Sequence, residues 1–197
     1  MITVDEMRHL EELSVEHGVT KLQLMENAGF GLKNYLKRDF SLSGKKILII
    51  CGSGNNGGDG FVLARYLLQE KFDVNVYFVG AVNKLKKESG YNYFILKDKF
   101  NEAFVDKFID ADIYVDAMLG TGVEGPIREP ISSLIDKINA SGKKIISVDM
   151  PTGVNPDTGQ ILDKVVVAHK IYTFHDIKMG LAKFQDKVTV INIGIRV

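Results

Sequence analysis

The pattern of apolar and polar positions changes period at about residue 44. The first forty residues read as two helices, each opened by a hydroxyl followed three residues later by a longer polar side chain. Thr3 with Glu6 and Thr20 with Gln23 are capping-box pairs that satisfy backbone N–H groups at a helix start, and Gly18 is placed to end the first helix. Beyond Gly44, Lys46 to Cys51 (KILIIC) is a continuous aliphatic run of strand length, as expected of a strand covered on both faces. Further strands are predicted at Val74 to Val79, Asp112 to Ala117, Lys144 to Asp149, Lys170 to Phe174 and Val188 to Ile193. Helical spacing marks Gly58 to Lys71, a segment around Leu85 to Leu96, another around Glu102 to Ile109, and Pro130 to Ala140. Such alternation predicts an α/β fold, three-layer and Rossmann-like, with a doubly wound, mainly parallel sheet. Ligands of that architecture sit beyond the carboxyl ends of the strands, where the strand order reverses. The chemistry is therefore expected in the loops after Cys51, Ala117 and Asp149.

Composition narrows the function classes. A chain of 197 residues, 45% of them hydrophobic, has material for one packed domain spanning 1–197 without disulfide or metal staples. The 25 basic and 25 acidic side chains cancel, and no block of five or six like charges occurs, so the electrostatic basis for general nucleic-acid binding is missing. The longest apolar run, Ile47 to Cys51, is far short of the ~20 residues that span a bilayer. A start carrying Thr3, Asp5 and Glu6 is unlike a basic signal peptide, and the single cysteine fits a reducing, cytoplasmic compartment. A small molecule is the expected partner.

The loop after the first predicted strand, Gly52 to Gly60 (GSGNNGGDG), contains G-x-G-x-x-G at Gly52, Gly54 and Gly57, between a strand and an apolar helix. Glycines there let the backbone turn tightly and approach a pyrophosphate at a helix N-terminus. The dehydrogenase form of the motif needs an acid near the end of strand two to hold the ribose, and Tyr77-Phe78-Val79-Gly80 offers none, so binding is expected without hydride transfer. Asp59 is either a helix cap or a ligand contact. Asp116 ends its strand either as a ligand or metal contact or as the cap of the following turn, Asp149 would project into the same crevice, and Lys178 either reaches that crevice or is a solvated surface lysine. Asn55, Asn56, Asp116, Asp149 and Thr152 are hard oxygen donors suited to a hard cation, whereas His9, His17, His169 and His175 form no transition-metal pattern. Cys51 reads as a packed thiol rather than a nucleophile.

Four blocks in order, Met25-Glu26-Asn27-Ala28-Gly29, Gly52 to Gly60, Asp116 to Gly122 (DAMLGTG) and Asp149-Met150-Pro151-Thr152-Gly153, resemble the YjeF N-terminal domain family, the NAD(P)H-hydrate epimerases. The resemblance spans nearly the whole chain. It implies interconversion of the R and S forms of NADH and NADPH hydrated at C6 of the nicotinamide ring, a repair of damaged cofactor that supplies a companion ADP- or ATP-dependent dehydratase. Because the chain ends at Val197, that dehydratase is expected to be a separate protein. By motif, Asn55, Asn56, Gly57, Gly58 and Asp59, together with Gly120, Thr121, Gly122, Val123, Glu124, Gly125 and Pro126, would hold the dinucleotide. Asp149 would contact the reacting ring as the proton carrier, assisted by Lys178, and a potassium ion would be held by Asn56, Asp116 and Thr152. Two departures stand out: Thr152 replaces a usual serine, and Lys178-Met179-Gly180-Leu181 lacks a common proline at 179, which relaxes the backbone beside Lys178. The alternatives are a non-catalytic dinucleotide sensor or a scaffold of the same fold, and the resemblance allows a homodimer. A scaffold, however, has no need of Asn56, Asp116 and Asp149 in three separate loops.

Overall fold

Thr3 opens the first helix with a complete capping box. Its hydroxyl accepts from Glu6 N at 3.2 Å, and Glu6 Oε2 accepts from Thr3 N at 2.8 Å. The computed structural model describes residues 1–122 and 125–197, and in it this helix, α1, spans Val4–Glu16. It stops before Gly18, whose φ of +84° takes the left-handed geometry that ends helices. Helix α2, Lys21–Asp39, has only half of its expected box: Thr20 accepts from Gln23 N, but the Gln23 amide turns to Asn27 Oδ1 at 2.9 Å.

The aliphatic run forms β1, Lys46–Cys51, and its side chains divide between the two faces of the sheet. Ile47, Ile49 and Cys51 join one core, and Leu48 and Ile50 the other. Each such aliphatic side chain, fully buried, is worth roughly 1.5–3 kcal/mol of transfer free energy. The remaining strands are β2 Asp73–Phe78, β3 Phe104–Val105, β4 Ile113–Ala117, β5 Lys144–Val148, β6 Lys170–Phe174 and β7 Val188–Ile191. All seven pair in parallel, in the order β3-β2-β1-β4-β5-β6-β7. The order reverses between β1 and β4, where the doubly wound reading places the ligand. Helices α1, α2, α3 (Asn55–Gln69) and α4 (Lys87–Lys99) cover one face, and α5 (Ile131–Ala140) covers the other. Among the described residues no helix is long and apolar enough to cross a membrane.

Three expectations are corrected. The segment Glu102 to Ile109 is not helical; after a 3₁₀ turn at Asn101–Ala103, Phe104 and Val105 form β3 beside Val76 and Tyr77 of β2. Phe104 packs on the Tyr93 ring in one core and Val105 on the other core, the period-two alternation of a strand winning over a helical spacing. Strand β5 ends at Val148 rather than Asp149, because Asp149 takes φ +59° and leaves the strand. Helix α3 begins at Asn55, three residues before the expected start, so Asn56, Gly57, Gly58 and Asp59 are helical. Glycine is tolerated in that first turn because the packing leaves no room for a side chain. A Cβ on Gly57 would lie 2.0 Å from Gly52 O, and one on Gly58 2.6 Å from the Met25 side chain.

Candidate functional site

A cleft of about 790 Å³ runs along the carboxyl ends of the strands, between the sheet edge and the wall formed by α1, α2 and α3. It is lined by Asn55, Asn56 and Asp59 from α3, by Gly120, Thr121 and Gly122 after β4, and by Asp149 and Lys178 after β5 and β6. Those expected site residues therefore converge. Gly57 and Gly58 do not line the cleft; their missing side chains let α3 pack against the β1 turn, Met25 and Ser89. Gly125 and Pro126 also lie off the cleft, and Val123 and Glu124 lie outside the described residues.

Asp149 sits at a strained corner. A non-glycine residue at φ +59° costs on the order of 1–3 kcal/mol and persists only where its surroundings hold it. Asp149 N donates to Tyr172 O at 2.7 Å, and Oδ1 accepts from Lys178 Nζ at 2.6 Å, Thr173 Oγ1 at 3.0 Å and Phe174 N at 3.4 Å. All three side-chain bonds end on Oδ1, so Oδ2 receives none from the described residues.

Lys178 is 1% exposed, which settles its reading against a surface lysine. Besides Asp149, its ammonium donates to Thr173 Oγ1 at 3.1 Å and Phe174 O at 2.9 Å, and three donors are all it has. The missing proline is compensated by the N-terminal segment. Ile2 N donates to Ile177 O at 2.8 Å and Met179 N donates to Ile2 O at 3.0 Å, a parallel bridge across Lys178. A proline at 179 has no N–H to make the second bond.

Asp59 is 8% exposed, in the second turn of α3, whose N-cap Gly54 makes no side-chain cap bond. The helix-cap reading is therefore corrected. Burial drives its carboxyl well above the ordinary range, the charges of Asp149 and Glu11 push the same way, and Lys178 opposes them.

Glu11 was not anticipated. It lines the cleft from α1, and burial raises its carboxyl, with Lys21 opposing and Asp149 adding. Its signal was present, since the stripe Val4, Met7, Glu11, Ser14 puts a carboxylate on the core-facing side of an amphipathic helix. Thr173 was also missed, a hydroxyl in the buried strand KIYTF. Cys51 is fully buried, and burial pushes its thiol up, as a packed thiol requires.

Beneath the cleft, Asp116 is 0% exposed and ties three segments together. Oδ2 accepts from Ser147 Oγ and Thr152 N, both at 2.9 Å, while Oδ1 accepts from Thr152 Oγ1 at 2.6 Å and Met118 N at 3.3 Å. Burial raises its carboxyl although these bonds lower it. Thr152 Oγ1 also accepts from Leu119 N at 3.1 Å, and Gly120 lies against Asn56, where a Cβ would stand 3.1 Å from Asn56 Cβ. Asn56 stands beside this group: its side chain is buried, and neither Oδ1 nor Nδ2 has a partner among the described residues. Leaving both unpaired costs roughly 1–3 kcal/mol each, so the amide is shaped for a ligand. One carboxylate, one hydroxyl and one amide oxygen fit a hard cation of low charge.

Comparison with known proteins agrees with the fold. Residues 21–180 match the family described as YjeF-related protein N-terminus. The chain is 37% identical to the NAD(P)H-hydrate epimerase of Nitrosopumilus maritimus over 192 residues, covering 94% of this chain and 89% of that protein. It is 41% identical to the bifunctional NAD(P)H-hydrate repair enzyme Nnr of Methanothermobacter thermautotrophicus over 194 residues, covering 90% of this chain but 37% of the relative's length. The crystal structure of yeast ynu0 superposes with a TM-score of 0.81 at 24% identity, over 96% of this chain and 86% of the yeast chain, a likeness of fold. The chain is an α/β protein with a cleft at the carboxyl ends of its parallel strands, across the switch point. It belongs to the YjeF-related N-terminal family.

Proposed function

We propose that the chain epimerises NADH and NADPH hydrated at C6 of the nicotinamide ring. The observation that carries this reading is Asp149, held on strained backbone with one oxygen saturated by Lys178 and Thr173 and the other open in a dinucleotide-sized cleft. The ring nitrogen's lone pair expels the C6 hydroxyl as water and leaves a planar iminium ring; water returning to the opposite face inverts the centre. Such inversion needs a proton for the departing hydroxyl and an acceptor for the proton shed by the returning water. Asp149 takes the second part through Oδ2. Asp59, biased toward its protonated form on the α3 wall, supplies the first, and proton exchange with solvent resets the pair. Lys178 is a positioning residue, because its three protons are already engaged.

Asn56, Asp116 and Thr152 are proposed to hold potassium, which supplies fixed positive charge beside the β1 and β4 loops. The Asn56 Nδ2 protons remain for an oxygen of the substrate. The lone buried thiol agrees with a cytoplasmic setting, and the S epimer passes to an ADP- or ATP-dependent dehydratase. Incubating the protein with one purified hydrate epimer and resolving the pair by chromatography tests the reading. Appearance of the second epimer faster than in buffer supports it, and an unchanged background rate contradicts it.

A further inference from the structure

The loop that follows β2 is docked onto the glycine loop. Ser53 Oγ accepts from Ala81 N at 3.0 Å and contacts Ala81 O at 3.3 Å, Lys86 N donates to Ser53 O at 3.1 Å, and Ser89 Oγ donates to Gly54 O at 2.9 Å. The approach is close enough that a Cβ on Gly80 would stand 2.0 Å from Ser53 Oγ. These bonds fix Lys86, Lys87 and Glu88 on the rim of the cleft at its β2 end. Asp149 and Lys178 occupy the other end, beyond β5 and β6. From β2 to β6 is four strand spacings, about 19 Å at ~4.8 Å each, a span suited to two linked nucleotides.

A dinucleotide with its nicotinamide against Asp149 therefore places its adenosine beside Lys86 and Lys87. In doubly wound folds a carboxylate after strand two holds the free ribose diol, and a cation in its place accommodates a 2′-phosphate. Here Phe78 ends β2, Val79 and Gly80 follow it without a carboxylate, and the docked loop presents two lysines. Glu88 shares the rim, half-buried in the first turn of α4, and leaves the group net positive. Resting on the epimerase reading for the orientation of the ligand, we propose that Lys86 and Lys87 receive the adenosine 2′-phosphate and make hydrated NADPH the preferred substrate over hydrated NADH.

Calorimetric titration with adenosine 2′,5′-bisphosphate and adenosine 5′-monophosphate, on wild type and K86Q/K87Q, tests the subsite without turnover. Wild type should bind the bisphosphate at least about tenfold more tightly, as two charge-assisted contacts imply, and the ratio should fall to within about twofold in the variant. Both lysines are exposed, so the melting temperature should not move and a folding defect cannot mimic the result. A wild-type ratio near one, or a ratio that survives the substitutions, overturns the proposal. Equal losses for both probes would place the lysines on the shared 5′-phosphate and also overturn it. In turnover, the ratio of kcat/KM for hydrated NADPH to that for hydrated NADH should collapse in the same variant. Lysine-dependent binding without turnover of either hydrate would uphold the subsite while contradicting the epimerase reading.

Discussion

Lys178 gives all three of its ammonium protons to protein acceptors, and the shortest of these bonds, 2.6 Å, ends on the one oxygen of Asp149 that Thr173 also reaches. One half of the Asp149 carboxylate is thereby a structural group, while Oδ2 receives no hydrogen bond among the described residues. The same lysine is gripped from behind by the backbone of Ile2.

Removing the lysine leaves the carboxylate nearly buried and unpaired. Lys178→Met is expected to cost about 3 kcal/mol, at the low end for a broken buried pair because Asp149 retains some contact with solvent. For a domain of this size that corresponds to a fall in Tm of roughly 6–12 °C, measured by calorimetry. A variant that melts with wild type would show that the pair contributes nothing to holding the corner.

Potassium dependence should be read through Asn56. A bound ion stabilises the fold by mass action, so wild type should melt higher in potassium chloride than in tetramethylammonium chloride. Asn56→Leu removes the unpaired amide and should abolish this difference without lowering stability in the organic salt. Asp116 is the poorer probe, because its four hydrogen bonds hold the β4, β5 and Thr152 segments together with or without an ion. Equal melting of wild type in both salts would remove potassium from the account.

The cleft carboxyls set a pH dependence of definite sign. Asp59 and Glu11 both have folded-state values raised above their unfolded ones, so the folded state binds more protons between the two values. Their contribution is present below the ordinary carboxylate value, 3.8 for Asp59, and is lost as pH rises through the raised one. Asp59→Asn should therefore be more stable than wild type at pH 8, with the difference closing toward pH 4. Urea unfolding at the two pH values measures it, and a difference that grows on acidification would reverse the assignment.

Much of this fold was readable along the chain. Buried parallel strands leave continuous apolar runs, and Ile47 to Cys51 could be read as little else. The strand-loop-helix unit around the glycine loop was legible because the spacing and its context coincide, and in the structure Gly57 packs against Gly52 and Gly58 against Met25 and Ser89. Glu102 to Ile109 misled because its apolar spacing suits a helix, while its β3 pairing depends on β2 nearly thirty residues earlier. What the sequence hid was long-range: the Ile2 bridge to Met179, the Thr173 hydroxyl beneath Asp149, and the seating of Ser53 against Ala81. Glu11 alone left a local trace, a charge on the buried stripe of α1.

The proposed epimerisation turns on the open oxygen of Asp149. Asp149→Asn keeps the shape of the side chain and removes the titrating group, so the loss should fall on turnover more than on binding. Starting from one purified epimer of the hydrated cofactor, the rate of appearance of the other, above the spontaneous background, should drop by about 10²–10⁴-fold, the usual contribution of a general acid-base group. Dinucleotide affinity should change little. A variant retaining more than about a third of wild-type turnover, far outside that range, would contradict the assignment and reduce Asp149 to a positioning residue.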